Sequence, residues 1–317
     1  LDQASGDLLG MTLSEATDLS GSGNGLSLAL TRSYGTSFLQ RDVVGVFGEG
    51  WTFAWQIRAV TDSSGDVTIA WPDGSLKSFT LQSDGGYVSD DGDGATLVLS
   101  TGSYTLAATD GSVTTFRATD GQISGVTSAS GAAITVGYDA RGVISGIVAS
   151  DGNSLTFTTN AAGRITSATD DSGRQTVYTY DSSNQHLVSA SGPAGVTTYS
   201  YDSSDNPLTN GSLTGVTNPD GSSSTFTYDD QGGLSASTDA GTATRYTYPS
   251  VGAITATSAS GDTATRIYDA HGNIARVENA DGTVMSFTYD ASGNVTALSG
   301  SDGSVISLGY DAAGQVT

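Results

Sequence analysis

The chain has 317 residues, a net charge of −22, 43 Gly and no Cys, with Lys occurring once (Lys77) and Glu three times (Glu15, Glu49, Glu278). Helices lack their usual surface residues in such a composition, whereas its 14 Tyr and 8 Phe, set among Thr and Val, suit pleated strands, so an all-β chain is expected. Absent Cys excludes disulfide frameworks and thiolate metal sites, the acidic balance argues against nucleic-acid or anionic-membrane partners, and no run reaches the length of a membrane span.

The chain opens at Leu1, neither an initiator Met nor a signal peptide, and reads as a trimmed or excised piece. Residues 1–60 form a distinct N-terminal segment. Its apolar content is dense, Trp51, Phe53 and Trp55 alternate, and Phe47, Gly50 and Trp51 are read as a cap over the exposed edge of the first repeat. Gly21-Ser22-Gly23-Asn24-Gly25 has a phosphate-loop-like spacing, but no Lys follows and no helical pattern begins, so it is read as a turn.

Residues 61–109 read as degenerate β repeats, as in Trp71-Pro72-Asp73-Gly74-Ser75-Leu76-Lys77-Ser78-Phe79, a turn followed by a strand. Asp90-Asp91-Gly92-Asp93-Gly94 invites a calcium reading, because hard cations want several oxygen ligands. It lacks a full ligand loop with a closing Glu, and a solvated loop is expected, with no cofactor.

From 110 to 317 the chain repeats. Tyr-Asp recurs at Tyr138-Asp139, Tyr180-Asp181, Tyr201-Asp202, Tyr228-Asp229, Tyr268-Asp269, Tyr289-Asp290 and Tyr310-Asp311, with Tyr248-Pro249 in the same phase and Thr159-Asn160 filling the one gap. The spacing is 20 or 21 residues, except from 201 to 228, where an insertion near Asn206-Pro207 and Asn210-Gly211 reads as a longer loop. A second turn signal falls halfway, at Asp110-Gly111, Asp151-Gly152, Asp220-Gly221, Asp281-Gly282 and Asp302-Gly303. Two turns per repeat mean two strands per repeat. Alternation such as Phe287-Thr288-Tyr289 puts aromatics on one face and Thr on the other, so stacked hairpins build aromatic ladders. About eighteen such strands at roughly 4.8 Å each make a wide ribbon that must curl to cover its apolar face, leaving a hollow wall rather than a packed core.

Catalytic raw material is scarce. His186 and His271 are the two His, both beside repeat turns, so a His triad or zinc site has almost nothing to build on and structural roles are expected. Close carboxylate pairs follow from turn grammar among so many Asp and do not of themselves indicate glycoside hydrolysis. The Tyr ladder could contact sugars, but packing on the neighbouring repeat is the simpler reading.

At this point the Tyr-Asp-x-x-Gly repeats resemble those of the Rhs and YD-repeat proteins, including bacterial polymorphic toxins, the shells of insecticidal toxin complexes and animal teneurins. Ser5-Gly6-Asp7-Leu8, Thr17-Asp18-Leu19, Leu30-Thr31-Arg32-Ser33-Tyr34 and Phe47-Gly48-Glu49-Gly50-Trp51 are similar to the segment that opens the Rhs region in many bacterial members. The resemblance implies a β-ribbon spiralling into a hollow shell that encloses a C-terminal toxin released by self-cleavage. No Asp-Pro-x-Gly core segment follows Asp311-Ala312-Ala313-Gly314-Gln315-Val316-Thr317, so no cleavage residue carries over. The expected role is therefore non-catalytic: a wall segment of a secreted or cell-surface, bacterial Rhs-like shell that encloses or displays an effector. The alternative is an extracellular fibre or adhesin that contacts glycans. Further repeats, or other copies meeting the C-terminal strand edge, are the expected partners.

Overall fold

The computed structural model describes residues 12–21, 26, 28–290, 293–311 and 316–317. Ser5-Gly6-Asp7-Leu8, the run Ser22–Gly25 and Ala312–Gln315 lie outside the described residues.

Strict alternation of large apolar residues with Ser and Thr gives strands with one buried and one exposed face. In Ser154–Thr159, Leu155 and Phe157 are buried while Thr156 and Thr158 are exposed. Each such strand hydrogen-bonds antiparallel to the next in sequence, producing a single 21-stranded sheet that runs from Thr96–Ser100 to Val305–Ser307. Its two end strands do not pair with one another, so the curled ribbon stays open and no barrel closes. The described part is nearly all-β, with one short helix, Phe38–Arg41.

Three smaller sheets precede the ribbon. Thr12–Ser20, Ala29–Gly35 and Trp51–Phe53 form the first, Arg58–Thr61, Val67–Ala70, Leu76–Leu81 and Tyr87–Ser89 the second, and Val44–Gly45 pairs with Gly48–Glu49 in a two-stranded third. Tyr87–Ser89 lies beside Thr96–Ser100, so the second sheet flanks the start of the ribbon.

Turns follow one design. Asp139 N–H donates to the Val143 carbonyl and Gly142 N–H to the Asp139 carbonyl, with Gly142 at φ +77°. Ala108, Ser112 and Gly111 (φ +82°) repeat the pattern at the halfway position. This is a three-residue loop, a type I turn followed by a left-handed residue, in which Gly carries the positive φ without steric cost. In the turn of Asp181 the left-handed position is held by Asn184 at φ +57°, since Asn tolerates that region better than other side chains.

The described part of the N-terminal segment packs mainly on the buried face of the ribbon, between Phe157 and Gly232, and its Ala59 N–H also donates to the Gly121 carbonyl near the start of the repeats. A sheet with an aromatic face must remove that face from water. Phe47, Trp51 and Phe53 supply the apolar area for this.

Candidate functional site

The feature that recurs along the ribbon is the Tyr-Asp hairpin, and its two residues divide the work. Asp closes the turn. Asp139 Oδ1 accepts N–H bonds from Arg141 and Val143, both at 2.9 Å, and Asp229 Oδ1 does the same for Gln231 (2.9 Å) and Gly233 (2.8 Å). Asp269 holds His271 N–H at 2.8 Å and Asn273 N–H at 2.9 Å, Asp290 holds Asn294 N–H at 2.9 Å, and Asp202 holds Ser204 N–H at 3.0 Å. Asp181 accepts the Gln185 N–H at 3.0 Å and lies 2.8 Å from His186 Nδ1. Burial alone would raise its carboxyl, but His186, the Ser183 hydroxyl and the turn amides outweigh that and bring it down to about 2. Asp311 is exposed at the end of the described run.

Tyr joins one repeat to the next. The Tyr138 hydroxyl donates to the Ile123 carbonyl at 2.6 Å, Tyr180 to Ile165 at 2.7 Å, Tyr201 to Leu187 at 2.8 Å and Tyr228 to Leu213 at 2.6 Å. Tyr248, Tyr289 and Tyr310 continue the series to Leu234, Ile274 and Val295. Tyr268 is partly buried against the same core.

The acceptor carbonyls share a property that the sequence did not advertise. Most return strands carry a β-bulge: Gly137 pairs with Gly146 but Tyr138 with Ile144, so Ser145 is the extra residue. Thr166, Val188, Thr214, Ser235, Ala275 and Thr296 are extra in the same way. The aliphatic residue that pairs with one Tyr across the bulge is the one whose carbonyl receives the next Tyr hydroxyl, as with Leu187, paired to Tyr180 and bonded by Tyr201. A branched aliphatic six residues after Tyr138, Tyr228, Tyr268 and Tyr289 was the available signal.

The N-terminal segment docks into this ladder. Trp51 is fully buried, stands edge-on to Tyr199 (centroids 4.8 Å apart) and donates its Nε1–H to the Tyr201 hydroxyl at 2.8 Å. Phe47 meets Tyr178 edge-on at 5.0 Å. Gly50, at φ +74°, lies so close to the Tyr34 ring that a Cβ there would collide with it. Arg32, also fully buried, pairs with Asp18 at 2.5 Å, donates to the Tyr199 hydroxyl at 2.7 Å and faces the rings of Trp51, Tyr178 and Tyr199. Arg41 stacks over Tyr228 at 4.6 Å and donates to Ser212 Oγ at 2.9 Å and to the Gly232 carbonyl. The Leu213 N–H donates to the Tyr34 hydroxyl at 3.1 Å. The long Asp202–Ser212 loop thus lies where the segment is gripped. Asp18, Arg32 and Tyr34 lie in motifs similar to the Rhs opening segment, but their partners in the ladder were not legible there, and Arg41 did not stand out in the sequence.

Lys77 pairs with Asp91 and Asp93, and Asp90 accepts the Thr80 hydroxyl, so the acidic run near residue 90 is tied into its own loop and partly compensated. Among the described residues no group of three His, Asp or Glu is placed to hold a metal.

A hairpin repeated in register, each copy bonded to the last through a tyrosine and a bulge, defines a structural tandem-hairpin ribbon. The chain matches the RHS Repeat family at residues 268–305 and 289–317, the Teneurin YD-shell at 121–238, and a domain of unknown function, DUF6531, at 6–79. It belongs to the Rhs/YD-repeat proteins. Similar solved structures include TcdB2-TccC3-Cdc42 (13% identity, TM-score 0.41, covering 95% of this chain and 19% of that one). The Photorhabdus luminescens Tc holotoxin pore with a mutated TccC3 is another (11% identity, TM-score 0.38, covering 95% and 20%). The chain spans about a fifth of the length of these structures. No curated protein matches it.

Proposed function

We propose that this chain is a non-catalytic wall segment of an exported Rhs-like shell whose buried face is turned toward a cargo. We assign residues 1–60 to the opening segment, 61–109 to degenerate repeats and 110–317 to the wall. The observation that carries the reading is the change in cover along one face of the ribbon. Where the N-terminal segment lies, that face is sealed: Phe157, Tyr178, Tyr199 and Phe226 are buried. From Thr242 onward the same ladder position continues, two residues before the repeat mark, with Tyr246 and Phe287 only half-buried, and Ile306 farther along is exposed. An aromatic face that continues past its own cover is suited to enclosing something further.

The test is the native protein itself. Its intact mass and C-terminal sequence would be determined, followed by limited proteolysis of the intact particle. A much larger chain, whose non-repeat C-terminal part resists protease until the ribbon is unfolded, is the expected result. A native chain close to this length, or a C-terminal part cleaved as fast inside the particle as when free, overturns the container reading.

A further inference from the structure

The N-terminal segment and the ribbon meet at one titratable contact that neither the repeat nor the shell role requires. Glu49, from the N-terminal segment, donates its N–H to the Gln185 carbonyl at 2.7 Å, and its carboxylate Oε2 lies 3.7 Å from His186 Nε2. The opposite ring nitrogen, Nδ1, is held by Asp181 at 2.8 Å, which orients the imidazole toward Glu49. Nε2 is buried and has no hydrogen-bond partner. Gly211 closes the space between them, since a Cβ there would meet His186 Nε2 at 3.0 Å and Glu49 Oε1 at 3.2 Å. The Tyr201 ring covers the imidazole at 4.8 Å. Asp42 is the other charge acting on Glu49, and Arg164 binds the Asn184 carbonyl of the same turn.

We propose that Glu49, His186 and Asp181 form a proton-operated latch between the N-terminal segment and the ribbon, closed by uptake of one proton and loosened as the pH rises. With imidazole neutral and Glu49 ionised, docking buries a carboxylate near Asp42 and Asp181 with no donor proton facing it. One proton on either partner removes that penalty: imidazolium donates Nε2–H to Glu49, or a protonated Glu49 donates to Nε2. Burial accordingly raises the Glu49 carboxyl. A group raised in the docked state, as Glu49 is, stabilises docking at low pH and loses that contribution as the pH climbs. Asp181 belongs to the same turn as His186 and stays with it in either state. Glu49 is the partner that docking adds. Imidazole changes charge between about pH 5 and pH 8, which sets the operating range. The inference does not depend on what the ribbon encloses.

Two of the amides that cross the junction, Glu49 N–H to Gln185 and Ile165 N–H to the Val46 carbonyl, report its opening by hydrogen exchange. Corrected for intrinsic rates, their protection in the intact chain should rise roughly two- to fivefold from about pH 8 to about pH 6, as for a partly exposed ion pair. The Asp229 amide, within a ribbon turn, should show no such change. Glu49→Gln and His186→Gln should each flatten the dependence. A flat wild-type profile, or a slope that survives both substitutions, overturns the latch. Should His186→Gln fail to fold, proton NMR decides through the two histidines: Glu49→Gln should lower the titration midpoint of His186 and leave His271 unmoved. An unmoved His186 overturns the proposal.

Discussion

The Tyr201 hydroxyl illustrates how much one atom can carry, since it donates to Leu187 and accepts from Trp51, binding two repeats and the N-terminal segment together. Removing it leaves a buried carbonyl and a buried indole N–H each short of a partner. Tyr201→Phe should therefore cost about 2–3 kcal/mol, while Tyr289→Phe, with one bond to Ile274 and a more exposed ring, should cost about 1 kcal/mol. Urea denaturation of the two variants side by side checks the ordering. Arg32 is the other sensitive position. Replacing it by Met strands the Asp18 carboxylate, exposed by only 8%, in an aromatic pocket, and a loss of about 3–5 kcal/mol is expected in the same assay. Asp18→Asn in the Arg32→Met background should recover part of that loss, because the stranded charge is then gone.

At the scale of the hairpin, the bulge decides which side chains face inward. Ser145 is the surplus residue between the Gly137–Gly146 and Tyr138–Ile144 pairs, so deleting it removes the bulge, and the extra twist it gives the hairpin, beside the buried Ile144. The deletion should lower the melting temperature clearly more than Ser145→Ala, and circular dichroism melts of the two variants compare them directly. Much of the hairpin was legible in the sequence: the Tyr-Asp and Asp-Gly marks fix the turns, the alternation fixes the faces, and the excess after Tyr201 is a loop. The bulge was not, because the surplus residue is Ser145, Thr166, Val188 or Ala275 by turns and leaves no compositional mark. The docking of the N-terminal segment was not legible either. Its aromatic density was plain, but its partners, Tyr178, Tyr199 and Tyr201, lie well over a hundred residues away and look like any other ladder residues in sequence.

For the whole molecule, the same two residue types that write the repeat also set its tolerance of pH, at opposite ends. Asp110, Asp220, Asp281 and Asp302 are held below the ordinary aspartate value by the hydroxyl and amide of the residue two positions on, Asp139 by the Val143 amide, and Asp181 by His186 and its turn. A carboxyl lowered in the folded state contributes its full stabilisation above its unfolded value and loses it as the pH falls through the folded value. Many turns titrate together, so the melting temperature should hold steady from neutral pH down to about pH 4 and then fall steeply. Tyrosines do the reverse. Burial pushes Tyr138 and Tyr228 up to about 12 and raises Tyr180 and Tyr201 as well. Their contribution is present below the ordinary tyrosine value and is lost as the pH climbs through the raised one, so a second collapse is expected above about pH 10. Added salt separates this local chemistry from bulk repulsion. With a net charge of −22, the folded chain should melt higher as ionic strength rises at pH 7, and this gain should shrink at pH 4, where part of the charge is neutralised. The acid collapse itself should persist at high salt, because it follows from hydrogen bonds inside each turn. Melts on a grid of pH and salt test both claims, and an acid transition abolished by salt would reassign it from the aspartate turns to overall repulsion.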